Sequence, residues 1–150
     1  LVVSNLEDAC LFYEKELGLE AIPAFLFDYP TAFFKFNEEQ QLHLTEWEDV
    51  YSFRGHICVQ VDNINDIFWR MKELGVIDIN PWGNVRQLPD GAIQMFVRDP
   101  SGNLVELSSA PDADIDPAIF KDELFKDGIY VSGRKDFRGY KSKDATLYHK

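Results

Sequence analysis

The chain contains two copies of one pattern, and this internal duplication constrains its fold more than any other sequence feature. Asn5 and Asp8 recur 58 residues later as Asn63 and Asp66, and "EKELG" recurs as "MKELG". Each copy reads as a strand, a helix and three further strands. One βαβββ unit leaves a face of its sheet open, whereas two units can bury a common core. The sequence therefore predicts an α+β fold of two repeats, whose curved mixed sheets surround a metal or substrate cavity.

The duplication sets the predicted domain boundaries. The repeats occupy residues 1–50 and 55–109 and form one domain. The chain begins within what reads as a strand, so we expect further residues upstream of Leu1. Residues 110–150 are predicted to be an extension and not a second domain, because they hold too few apolar residues for a core. Asp116 and Pro117 predict the start of one short helix in this extension.

Charge and cysteine content exclude several classes of partner. The net charge of −11 argues against nucleic acid and anionic membranes as partners. Residues 129–150 carry a net +4, so this basic tail either lies on the acidic body or a partner subunit, or is a solvated terminus. No apolar run is long enough for a membrane span. With Cys10 and Cys58 predicted to be buried reduced thiols, we expect a cytoplasmic protein.

Three predicted strands carry one possible metal ligand each on a face opposite to their apolar side chains. Strand alternation places His56, Glu106 and His43 on such faces. Taken singly, each is more often a polar residue of the core or surface than a metal ligand. However, aligning "LHL" with "VEL" makes His43 the repeat equivalent of Glu106, and the equivalent of His56 lies three residues before Leu1. The pattern favours a symmetric site for Zn, Fe(II), Ni, Co or Mn.

Three segments together resemble the vicinal oxygen chelate superfamily, which includes glyoxalase I, extradiol dioxygenases, and fosfomycin- and bleomycin-resistance proteins. They are "NLEDACLFYEKELGL", "GHICVQVDNI" and "FVRDPSGNLVEL", and the resemblance covers residues 1–109. It implies that His56 and Glu106 are metal ligands and that a further histidine ligand lies upstream of Leu1. His43 falls where glyoxalase I has a ligand glutamate, so it is either a ligand or an acid/base group.

The resemblance also implies a function. We expect a glyoxalase-like, metal-dependent enzyme, a lyase or isomerase, that chelates a small substrate through adjacent oxygens and stabilises an enolate or oxyanion. Glu106 and His43 are the expected catalytic residues, and a homodimer is the expected assembly. The alternatives are an Fe(II) extradiol-type dioxygenase and a non-catalytic protein that binds or confers resistance to a small molecule such as an antibiotic. Strand alternation suggests four substrate-binding candidates: Gln60, Gln94, Arg98 and Thr45.

Overall fold

The computed structural model describes residues 1–25, 27–51, 55–80 and 83–127, and the predicted order of elements is present. The first repeat contains β1 (Val2–Val3), α1 (Leu6–Leu11), β2 (Glu20–Ile22), β3 (Thr31–Lys35) and β4 (Gln41–Glu46). The second contains β5 (His56–Gln60), α2 (Ile64–Glu73), β6 (Arg86–Gln87), β7 (Ile93–Arg98) and β8 (Leu104–Ser108). No helix of the described segments has the length and apolar character needed to cross a membrane.

The residues that reveal the duplication are those that cap the helices. Asn5 accepts a hydrogen bond from the backbone N–H of Asp8, and Asn63 accepts one from that of Asp66. Gly18 and Gly75 follow the two helices with φ of 74° and 68°, which only glycine adopts without strain. The repeated residues are therefore the N-caps and C-terminal glycines of the two helices.

The two repeats form two mixed sheets of the same topology. Sheet A has the order β1-β4-β3-β2 and sheet B the order β5-β8-β7-β6, with the first and last strand of each repeat parallel. One face of each sheet carries the apolar residues of the core, including Leu42, Leu44, Val105 and Leu107. The other face, here called the open face, carries the polar residues that the sequence placed opposite the apolar ones. The α+β fold of two βαβββ repeats is confirmed.

The turn "DPSGN" fastens the two repeats together. Asp99, which is 4% exposed, accepts hydrogen bonds from the backbone N–H groups of Ser101 and Asn103 and from the Asn103 side chain. It also accepts a 3.0 Å bond from the hydroxyl of buried Tyr13 in the first repeat. Asn103 in turn donates to the carbonyl of Val2. The motif therefore has a structural task at the junction of the repeats, 86 residues from its partner in the sequence.

The first helix departs from the prediction of one regular α-helix. After Leu11 it continues as a π-helical turn, Phe12–Glu16, in which the N–H of Leu17 bonds the carbonyl of Phe12. The wider turn places the adjacent Phe12 and Tyr13 side by side in the interior, 5% and 0% exposed. This arrangement lets Tyr13 reach Asp99.

The described part of the extension, residues 110–127, lies along α2 and the edge of sheet B. Trp69 donates to Asp116, and Lys72 forms an ion pair with Asp122. Phe125 forms a parallel bridge with Val85, next to the edge strand β6. The predicted short helix is a single 3-10 turn, Ile119–Lys121, because the chain becomes extended at Asp122 and then runs beside Val85. The basic tail, residues 129–150, lies outside the described residues.

Candidate functional site

The candidate site lies on the open face of sheet B, and strand register explains its composition. Glu106 stands on β8, a central strand, where its register partners are Cys58 on β5 and Phe96 on β7. His56 and Gln94 are its diagonal neighbours on those two strands, within reach of long side chains. Three polar groups from three adjacent strands therefore meet on one face.

Glu106 is the centre of this group. The residue is 5% exposed although its side chain belongs to the open face. Oε2 lies 2.9 Å from Nε2 of His56, and Oε1 accepts a 2.6 Å hydrogen bond from Nε2 of Gln94. The His56 ring also meets Phe96 edge-on, with the centroids 5.3 Å apart. A buried carboxylate with both oxygens engaged is fixed in position, and desolvation strengthens its interaction with any cation.

The donor set of this pair fits a divalent metal. Neutral imidazole and carboxylate are ligands of Zn and of other first-row divalent metals. Two donors bonded at about 2.1 Å to one ion at right angles are about 3 Å apart, close to the 2.9 Å separation found here. However, no group of three or more His, Cys, Asp or Glu suited to a metal exists within the described residues of one chain. His56 and Glu106 are thus a partial ligand set.

His43 lies on the other sheet, at the position that the repeat alignment predicted. On β4 it is the register partner of Phe33, just as Glu106 on β8 is the register partner of Phe96. Its ring stacks on Phe33 with the centroids 3.6 Å apart, and its Nε2 lies 3.0 Å from Oε1 of Gln41. His43 is exposed on the open face of sheet A, and Thr45 lies on the same face. Within one chain, His43 therefore lies on the open face of sheet A, whereas His56 and Glu106 lie on that of sheet B.

Besides Thr45, the three other predicted substrate-binding residues have different surroundings. Gln94 joins Glu106, as described above. Gln60 is exposed on β5 and lines a groove of about 820 Å³ between the repeats, which neither His56 nor Glu106 lines. Arg98 bonds the carboxylate of Asp78 and the carbonyl of Gly102, which holds the end of the turn.

The prediction that both cysteines are buried is wrong. Cys10 is half-buried and Cys58 is exposed. Strand alternation explains the exposure of Cys58, because it shares the open face of β5 with His56 and Gln60. Its thiol therefore lies beside the Glu106 position and not in the core.

Comparison with known proteins assigns the family. Residues 1–107 match the model of the Glyoxalase/Bleomycin resistance protein/Dioxygenase superfamily. The chain belongs to this superfamily, as the three motifs indicated. No curated protein matches the sequence.

Solved structures support the fold at low sequence identity. Lactoylglutathione lyase from Agrobacterium tumefaciens is 23% identical with a TM-score of 0.55, covering 74% of this chain and 90% of that one. The fosfomycin resistance protein FosX from Listeria monocytogenes is 19% identical in its monoclinic form, with a TM-score of 0.58 and coverage of 71% and 84%. FosX complexed with Mn(II) and sulfate is 18% identical, with a TM-score of 0.56 and coverage of 73% and 87%.

Proposed function

We propose that this protein is a divalent-metal-dependent enzyme that converts a small substrate with adjacent oxygen atoms, as a glyoxalase-like lyase or isomerase. The observation that carries the proposal is the buried carboxylate of Glu106, held between His56 and Gln94. A buried carboxylate is costly even when it is hydrogen-bonded, and a bound cation offsets part of that cost. Superfamily membership is consistent with this reading.

We propose that His56 and Glu106 supply two of the metal ligands and that the others come from a second copy of the chain. His43 lies on the open face of sheet A, where its pairing with Phe33 matches that of Glu106 with Phe96, and the expected histidine upstream of Leu1 would lie on the same face. A homodimer that sets sheet A of one copy against sheet B of the other would bring both faces to one metal. Each site would then be shared between subunits in the cytoplasm, where Cys10 and Cys58 stay reduced.

When bound, the metal acts as a Lewis acid that polarises the substrate oxygens and stabilises an oxyanion. The residues of the chain supply the rest. Glu106 presents Oε2, the oxygen that faces His56, to the metal while Gln94 holds Oε1, so proton exchange is left to His43. His43, whose ring is exposed, can exchange a proton from the opposite side. Phe96 and the low exposure of Glu106 limit the access of water to the Glu106 carboxylate.

Metal titration of the full-length protein tests the proposal. Mn(II) is the first probe, because one related structure, FosX, was determined with it. Wild-type protein is expected to bind Mn(II) in isothermal titration calorimetry, and Glu106→Gln to bind it at least tenfold more weakly. Glu38→Gln, on an exposed turn where Glu38 pairs with Lys35, is the matched control and is expected to bind like wild type.

Three results would redirect or overturn the proposal. If the full-length wild-type protein binds no Mn(II), Zn(II), Ni(II), Co(II) or Fe(II), both enzyme readings fail and a non-catalytic binding protein is left. If Glu106→Gln binds as tightly as wild type, the metal lies elsewhere. Oxygen uptake by the Fe(II)-loaded protein with catechols would replace the lyase reading with the extradiol dioxygenase.

A further inference from the structure

Gln94 holds one particular oxygen of the Glu106 carboxylate. It stands on β7, where its register partner is Ser108, so it meets Glu106 diagonally across the open face. Its Nε2 donates a hydrogen bond of 2.6 Å to Oε1, the oxygen that does not face His56. Gln94 itself is half-buried and Ser108 fully buried, so the bond lies at the protected inner part of the face.

We infer that Gln94 is a positioning residue that restricts Glu106 to metal binding through Oε2 alone. The inference rests on the proposed function and refines it. A carboxylate can bind a metal through one oxygen or through both. Since Gln94 occupies Oε1 with a hydrogen bond to a charged acceptor, Oε2 remains as the oxygen presented beside His56. Glu106 then takes one coordination position instead of two, and a further position stays open for the substrate.

The amide is what suits Gln94 to this task. It offers an N–H donor at the end of a side chain long enough to cross the diagonal, and it carries no charge that would compete with the metal. Methionine has a similar length and flexibility but no N–H donor. Gln94→Met therefore removes the hydrogen bond while it keeps the volume on the face.

Binding of Co(II) by the full-length protein tests the inference. Gln94→Met is expected to raise the Kd for Co(II) by about 10- to 100-fold, as loss of a hydrogen bond to a ligand does in other metal sites. The ligand-field absorption of bound Co(II) is expected to weaken, because a carboxylate bound through both oxygens raises the coordination number. Gln87→Met is the matched control, since Gln87 on β6 is exposed and donates to the carbonyl of Gly91. It should match wild type in both measurements.

A metal-free measurement separates this inference from the proposed function. In metal-free wild-type protein, the side-chain amide of Gln94 is expected to give a downfield NMR signal with slow exchange, and Glu106→Gln is expected to shift it upfield. If wild type binds Co(II) but Gln94→Met has the same Kd and the same spectrum, the positioning role is refuted and the proposed function stands. If wild type binds neither Co(II) nor any of Mn(II), Zn(II), Ni(II) and Fe(II), both are refuted. A Gln94 signal that Glu106→Gln does not move refutes the hydrogen bond itself.

Discussion

The hydrogen bond between Tyr13 and Asp99 makes a prediction about how the two repeats stay together. Tyr13→Phe keeps the aromatic ring, which is fully buried against Phe12 and Phe34, and removes the hydroxyl that reaches Asp99. Because the ring still fills its place, no large cavity forms. The expected loss of stability is therefore that of one hydrogen bond to a charged acceptor.

The magnitude follows from the partners that Asp99 keeps. A hydrogen bond to a charged group contributes about 1.5–3 kcal/mol. Asp99 retains three other donors, from Ser101 and Asn103, so the carboxylate is not left without partners. We therefore expect Tyr13→Phe to lower the free energy of unfolding by about 1.5–3 kcal/mol. At about 2–4 °C per kcal/mol for a chain of this size, the Tm should fall by about 3–12 °C.

The pH dependence of stability gives a second signature of the same bond. Burial, followed by the charge and hydrogen bond of Asp99, raises the pKa of Tyr13 far above its usual value of 10.0. The folded state then keeps Tyr13 protonated after the unfolded state has begun to ionise. Its contribution to stability is complete below about pH 10 and is lost as the pH rises further, at about 1.4 kcal/mol per pH unit. Tyr13→Phe should lack this alkaline loss.

Urea unfolding at pH 7 and at several values between pH 9 and pH 12 measures both effects. Tyr51→Phe is the control, because Tyr51 is 78% exposed and is expected to change stability by less than about 0.5 kcal/mol. If Tyr13→Phe unfolds at the wild-type urea concentration and shows the wild-type alkaline loss, the bond does not hold the repeats together.

Three further predictions concern other parts of the fold. Gly91→Ala should destabilise the protein by about 1–3 kcal/mol in urea unfolding, because the residue has a φ of 98° and its Cβ would lie 2.7 Å from the carbonyl oxygen of Pro111; wild-type stability would contradict this. Asp78→Asn should flatten the loss of stability below about pH 4. Hydrogen bonds from Arg98 and Asn80 outweigh burial and lower the pKa of Asp78, so its contribution to stability is present above its unfolded pKa and is lost as the pH falls. An acid profile like that of wild type would refute it. Truncation after Ala110 should weaken the proposed dimer in light scattering, and an unchanged dimer would show that the extension is not needed for it.

The sequence predicted the fold where the signals were local and repeated. The caps at Asn5 and Asn63 and the glycines after both helices are short-range signals, and the duplication doubled them. The π-helical turn was not predicted, because it is stabilised by long-range contacts such as that of Tyr13 with Asp99. Such a pair leaves no periodic trace in a single sequence.

The candidate site was predictable to the extent that strand alternation determines it. Alternation and the repeat alignment placed Glu106, His56 and Gln94 on one face, and the register of sheet B brings them into contact. The same reasoning could not place His43 on a different sheet from Glu106. Alternation tells on which face of its own strand a side chain lies, but not to which sheet that strand belongs. Gln94 was predicted to bind a substrate, and only the hydrogen bond between β7 and β8 in the structure shows that it contacts Glu106.

The shared register of the two sheets has a consequence for how the protein can change over generations. Phe33 with His43, and Phe96 with Glu106, occupy equivalent places on one framework. One place has a buried carboxylate tied to two neighbours, and the other has an exposed imidazole stacked on a ring. A change at the place of Glu106 is therefore the more costly of the two, because it takes a hydrogen-bond partner from Gln94 and His56, whereas a change at the place of His43 acts on an exposed ring.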